Sequence, residues 1–416
     1  MNRRAFLQAG AAGLLRFARP LSPAAAGDDL VTKYDLVTKY DLVTKYDLVI
    51  KYDLIIKGGR VLDASQSLDR VADVAIRGDR IAAIHANIPD ADAAAVLDAR
   101  GQLVTAGLVD IHTHLSADIP RFVLSTGVTT MVDAGSSGAD NVDEVLSIAS
   151  SAPNQVRVLL NLSRRGLSDN RELMDIANAD VAAVRRTIDA HRDRIIGIKA
   201  RLSQSVAGDN DLEAVRRAQQ VLKPIGMPLM VHVGQTKSPL PAILALLKPG
   251  DIVTHTYAPP PNTIFDGQGR VASEVLEARR RGIVFDVGNG RNAHITWEMV
   301  DRALQQGFLP DTISSDLTEP GRTDRVFDLP TVLSKFLMLG MPVEQVIARA
   351  TANAAGALAA LKGSGTLAVG SRADVAVFEL RDGDFEFVDN LNAKRTGRQK
   401  LIPRAVVCGG RRVCCG

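Results

Sequence analysis

The chain has 416 residues, 46% of them hydrophobic, which is enough for one large core and a smaller companion and excludes a disordered protein. Its 50 basic residues nearly balance 47 acidic ones, and no basic block is interleaved with aromatics, so nucleic acid is excluded and a small-molecule substrate is expected. The three cysteines, Cys408, Cys414 and Cys415, all fall near the C-terminus, so no disulfide framework supports the fold.

Residues 1–27 read as a signal rather than as structure. Arg3-Arg4 precede a short apolar run from Ala9 to Leu15, and Ala24 to Ala26 offer small residues for cleavage, a pattern that resembles a twin-arginine signal. The run is too short to span a bilayer and is closed off by Arg16 and Arg19, so no stable membrane insertion is expected. The periplasm or the exterior is the expected destination, with the cytoplasm the alternative if the segment is no signal. Residues 28–52 hold a repeated hexapeptide, Asp29 to Tyr34, Asp35 to Tyr40, Asp41 to Tyr46 and Asp47 to Tyr52, read as a tandem duplication lengthening a linker because the period is too short for a solenoid.

From 53 to 105, short apolar runs separated by turn residues predict strands, as at Leu54 to Lys57, Val71 to Arg77 and Ile81 to His85. The same texture returns at 364–407, which predicts a small β-sandwich built from both chain ends. A disordered tail is expected over 408–416.

Between them, 106–363 alternates strands and helices eight times. Strands are expected at Leu108 to His114, Val128 to Ala134, Val156 to Leu162, Ile195 to Leu202, Pro228 to Gly234, Asp251 to Tyr257, Ile283 to Gly288 and Thr312 to Leu317, and helices at Arg171 to His191, Asp211 to Leu222 and Val271 to Arg281. Eight such units predict an α/β fold, a (β/α)₈ TIM barrel whose reactive groups sit at the C-terminal ends of its strands. There the chain repeatedly places polar groups in apolar surroundings. His112 and His114 end the first strand, Lys199 lies near the end of the fourth, His232 ends the fifth, His255 the sixth and Asp316 the eighth. In a strand, residues two apart share a face, so His112 and His114 reach one point. Each residue alone has an ordinary explanation, a hydrogen-bonded core histidine or a helix cap, but their joint order around one ring points to a metal site. His85, His191 and His294 are read as ordinary, with only His294, in the loop after the seventh strand, near enough to approach.

The motifs Gly107-Leu-Val-Asp-Ile-His-Thr-His114, Gly197-Ile-Lys-Ala-Arg201 and Ser315-Asp316 resemble those of the amidohydrolase superfamily, most closely its dihydroorotase-like deacetylase branch, over about residues 52 to 407. The resemblance implies a binuclear centre of two divalent ions, most often Zn²⁺, with Mn²⁺ the alternative. His112, His114 and Asp316 would hold the more buried ion, His232 and His255 the more exposed one, and Lys199 would bridge them as an Nζ-carboxylated lysine. It further implies a metal-bridging hydroxide, with Asp316 as the general base of an amide or ester hydrolase, deacetylase-like, acting on a small carboxylate-bearing compound. Arg201, two residues after Lys199 and on the same face if the strand continues, is a candidate to bind the substrate carboxylate, with a rim salt bridge the alternative, and Asn289, in Gly288-Asn-Gly290, is a candidate donor to the substrate. Asn289 stands where the branch often has histidine. A cyclic amide hydrolase of the dihydroorotase or hydantoinase type is the alternative, which export disfavours. A non-catalytic interaction protein of the same fold is a third reading, but the missing ligands that would mark it are not seen. Related barrels often pair, so a homo-oligomer fits the same resemblance.

Overall fold

A computed structural model describes residues 51–167 and 171–413. Residues 1–27, read above as a signal, nearly all of the repeat at 28–52, Cys414 and Cys415 lie outside the described residues.

Strands from both chain ends join one eight-stranded sheet. From the N-terminal side come β1 (Tyr52–Asp63), β2 (Leu68–Arg77), β3 (Arg80–His85), β4 (Ala93–Asp98) and β5 (Leu103–Ala106). Seven strands of a second sheet follow: β6 (Leu108–Thr113), β7 (Val128–Ala134), β8 (Gln155–Asn161), β9 (Ile195–Arg201), β10 (Leu229–His232), β11 (Ile252–Thr254) and β12 (Val284–Asp286). The chain then returns to the first sheet with β13 (Val375–Val388), β14 (Lys394–Cys408) and β15 (Arg411–Val413). Its order is β15-β14-β13-β5-β1-β2-β3, with β4 paired to β1, so β13 and β5 form the seam between the two chain ends. Alternating residues such as Ile56, Val74, Val104, Val375 and Val407 bury one face of this sheet.

The tail differs from expectation. Cys408 is buried at the end of β14, and β15 pairs back on it through Gly409-Gly410, both with positive φ, a backbone that glycine adopts without steric cost.

The seven middle strands are all parallel, lie in chain order and form one curled α/β sheet. Both of its faces are apolar, as a parallel sheet covered on both sides requires. A large cluster joins strand residues such as Val158 and Ile198 to helix residues such as Val184, Val215 and Val300, while Val109, Leu159, Ile196 and Met230 meet Ala354, Leu358 and Leu361 in a separate cluster. Thr312 bridges in parallel to Asp286 of β12, and Leu317 to Thr113 of β6, so the segment between them touches both edges of the sheet.

Regular pairing stops earlier than the sequence predicts in several strands. The eighth expected strand, Thr312 to Leu317, forms only isolated bridges at its two ends; Asp316 within it has φ 50°, and His255, just past β11, has φ 65°, left-handed backbone that regular pairing does not accommodate and that non-glycine residues adopt at a cost. The helix expected over 171–191 is confined to Val181–Ala190, because the Asp180 carboxylate accepts from the Ala183 N–H and caps the helix there. Asp175 caps a short 3₁₀ turn just before it. Among the described residues, no helix is long and apolar enough to cross a membrane.

Candidate metal centre

His112, His114, Lys199, His232, His255 and Asp316 come together in one cavity of about 550 Å³ at the C-terminal ends of the parallel strands, with Arg201, Arg291 and His294 also in its wall. The donor atoms of His112, His114 and Asp316 lie within 4.8 Å of one another, and so do those of His232, His255 and His294.

The first group is braced from behind. One Asp316 carboxylate oxygen lies 3.1 Å from His114 Nε2 and 3.3 Å from His112 Nε2. His112 Nδ1 faces the Thr254 hydroxyl at 2.9 Å, and that hydroxyl donates to Asp286, which also accepts from Thr312 and Ser314. His114 Nδ1 faces the Ser136 hydroxyl at 3.0 Å, and Ser136 donates to Asp133. Asp110 accepts from the backbone and hydroxyl of Ser315 and so ties β6 to the residue before Asp316. Such outer partners fix ring orientation and tautomer. Burial pushes the Asp110 carboxyl up to about 7.

Charge is set by burial and neighbours. Burial, then the nearby Lys199, lowers the His112 imidazole to about 4, and burial with the neighbouring His294 holds His232 and His255 well below the usual histidine value. All three rings are therefore neutral at pH 7, the form that offers a lone pair. Burial opposes ionisation of Asp316, yet the surrounding imidazoles, His112 foremost, hold its carboxyl well below the usual range. Lys199 Nζ lies 2.8 Å from His112 Nε2, and burial lowers its ammonium to about 8.

The second group rests on strand ends and a loop. His255 Nδ1 donates to the Gly288 carbonyl at 2.7 Å, leaving the buried Nε2 without a hydrogen-bond partner. The His294 ring centroid is 3.8 Å from that of His255 and 5.0 Å from that of His232. Its Nδ1 is 3.3 Å from the other Asp316 oxygen, not aligned for a hydrogen bond. A side chain at Gly290 would collide with Asp316 and His294, so the loop can approach this closely only with glycine there.

His294 is the residue that spacing did not assign, because no regular element carries it. Glu172 was missed for the same reason; it sits in the turns that replace the start of the expected helix. Glu172 is buried, its carboxyl raised by that burial against the pull of Arg201, and it accepts from Arg201 Nη1 and from Asn161. Asn289 departs from expectation. It is buried outside the cavity wall, with its Nδ2 donating to the Gly290 carbonyl at 2.9 Å and its oxygen accepting from Lys335 at 3.0 Å. Both ends of its amide are committed, because the loop turns it toward the helix Leu329–Met338.

Imidazoles, a lysine and a carboxylate at the C-terminal ends of a curled parallel sheet are the equipment of an α/β hydrolytic enzyme. The model of the amidohydrolase family matches residues 103–413. A deacetylase of Enterococcus faecalis is 31% identical over 348 residues, covering 81% of this chain and 94% of its own, and a deacetylase of Agrobacterium fabrum is 32% identical over 368 residues, covering 83% and 87%. The crystal structure of an adenine deaminase superposes with a TM-score of 0.80 at 30% identity, covering 87% of this chain and 99% of that one. The chain belongs to the amidohydrolase family and is a hydrolase. Members of this family generally use a binuclear metal centre.

Proposed function

We propose that the protein is a metal-dependent deacetylase of small carboxylate-bearing amides or esters. The observation that carries this reading is the pair of three-residue donor groups facing one cavity, with the buried His255 Nε2 and His294 Nδ1 lacking partners. Buried polar atoms are normally satisfied, so orphaned lone pairs beside an ionised carboxylate fit a cation. In this reading the segment 312–317 acts as the eighth stave of a (β/α)₈ barrel, and the terminal sheet folds over its own core as a sandwich.

His112, His114 and Asp316 would hold one divalent ion, and His232 and His255, with His294 at their edge, a second. Lys199 would join the two as a carbamate: its neutral amine attacks carbon dioxide and loses a proton, and burial raises the share of that neutral form. Zn²⁺ suits the imidazole and carboxylate donors, as does Mn²⁺. Ions bound there lower the pKa of water toward neutrality and polarise a carbonyl.

The side chains supply the rest. Asp316, ionised at neutral pH, accepts the proton of the attacking water and returns it to the leaving group. Among the described residues Arg201 donates to Glu172 through Nη1, and its other N–H groups can receive a substrate carboxylate. The cavity suits a small ligand. The N-terminal segment, read as an export signal, would place this chemistry in the periplasm.

A panel of N-acetyl and O-acetyl acids, their methyl esters, adenine and dihydroorotate tests the reading. Acetate should be released from the free acids, with kcat/KM about tenfold or more lower for the methyl esters, which lose a charge-assisted hydrogen bond. Turnover of adenine or dihydroorotate without acetate release would overturn it.

A further inference from the structure

Residues 290–295 lead from β12 toward the helix Trp297–Gln305 and carry His294. Among the described residues His294 Nδ1 has no hydrogen-bond partner, so beside its contacts with Asp316 and the His255 ring the placement of the side chain depends on the backbone that bears it. That backbone is held from the other end of the chain. Asn390, buried in the turn between β13 and β14, donates from Nδ2 to the Gly290 carbonyl at 2.8 Å and accepts at Oδ1 from the Ile295 N–H at 2.8 Å. Its own N–H donates to the Ile295 carbonyl at 3.1 Å. One residue therefore grips both ends of the loop.

The turn that carries Asn390 is itself tied by hydrogen bonds. The buried carboxylate of Asp389 accepts from the Leu391 and Ala393 N–H groups, each at 2.9 Å, and from Trp297 N–H at 3.1 Å. Trp297 Nε1 donates to the Ala393 carbonyl at 2.8 Å. A side-chain amide supplies a donor and an acceptor side by side at neutral pH without a change of protonation, as Gly290 and Ile295 require.

We propose that Asn390 is a positioning residue that holds His294 against His232 and His255, making the β13–β14 turn of the terminal sheet part of the second metal site. This rests on the metal reading above and goes beyond it in assigning work to a residue outside the barrel. Mutating the outer partners of a ligand typically lowers metal affinity about 10- to 100-fold.

The test is calorimetric titration of the metal-free protein with Zn²⁺ alone, for wild type, Asn390→Ala, His294→Ala and the double variant. The second equivalent should bind about 10- to 100-fold more weakly in both single variants, with the first unchanged, and the double variant should match His294→Ala. An unchanged second affinity in Asn390→Ala, or further loss in the His294→Ala background, would overturn the proposal. A second readout needs no metal: diethyl pyrocarbonate should modify His294 faster in metal-free Asn390→Ala than in wild type, and an equal rate would also overturn it. If wild type takes up no second ion, the metal reading fails, and the labelling rate still decides whether Asn390 positions His294. Asn390→Asp, which keeps the acceptor and loses the donor, takes the place of Asn390→Ala should that variant fail to fold.

Discussion

The two donor groups of the cavity are built differently. His112, His114 and Asp316 include a carboxylate, and their rings rest on hydroxyls that in turn rest on the buried Asp286 and Asp133. His232, His255 and His294 are three imidazoles with no carboxylate among them, two buried nitrogens without partners, and one ring on a loop gripped from the terminal sheet. A negative, preorganised set binds a cation more firmly than a neutral set held partly by a loop. Two ions in one cavity would therefore differ in tenacity, and the weaker site is the one open to adjustment.

The largest effect is expected where the two groups meet. Asp316 faces His112 and His114 with one oxygen and His294 with the other. Asp316→Asn keeps the shape and loses the proton acceptor, so turnover should fall about 10²- to 10⁴-fold while metal content largely remains. Wild-type turnover in this variant would remove Asp316 from proton transfer. Next is Lys199→Ala, which should lose the ion at the second group before the first, with activity partly restored by a short carboxylic acid occupying the vacated space. Equal loss of both ions, or none, would erase the proposed bridge.

The smallest effect concerns Lys335, which braces the loop beside the second group by donating to Asn289 Oδ1 at 3.0 Å and to the Arg325 carbonyl at 2.6 Å. Burial lowers its ammonium to about 7, against the pull of Asp389 and Asp324. A neutral amine still has two N–H donors, one for each acceptor. Because the folded value lies below the unfolded one, the unfolded chain binds more protons between them, so this residue's contribution to stability rises with pH across that window and is lost as pH falls through about 7. Denaturant unfolding from about pH 7 to about pH 9 should show a smaller rise in Lys335→Met than in wild type. Equal slopes would mean that Lys335 keeps its charge in the folded protein.

The legibility of the sequence divides along the same line. His112 and His232 lie at strand ends, and His114 and His255 directly follow one, so apolar runs closed by these residues point to one rim, whereas Asp316 closes an apolar run that forms no regular strand. His294, Glu172 and Asn390 lie in turns, where no period exists and position depends on backbone hydrogen bonds made by residues far away in the chain. Asn289 shows the converse. Its Gly-Asn-Gly setting advertises a loop at the rim, but only the contact with Lys335 decides which way the side chain turns. The ordered end of β14 and β15 was hidden by its composition, since Gly409-Gly410 reads as a loose tail until Val406, Val407 and Cys408 find partners across the turn.

Elemental analysis of the purified protein after supplementation with Zn²⁺ or Mn²⁺ and bicarbonate tests the central claim most directly. Two donor groups predict two divalent ions per chain, one of them released first on dialysis against a chelator. One ion or fewer per chain would contradict the binuclear account.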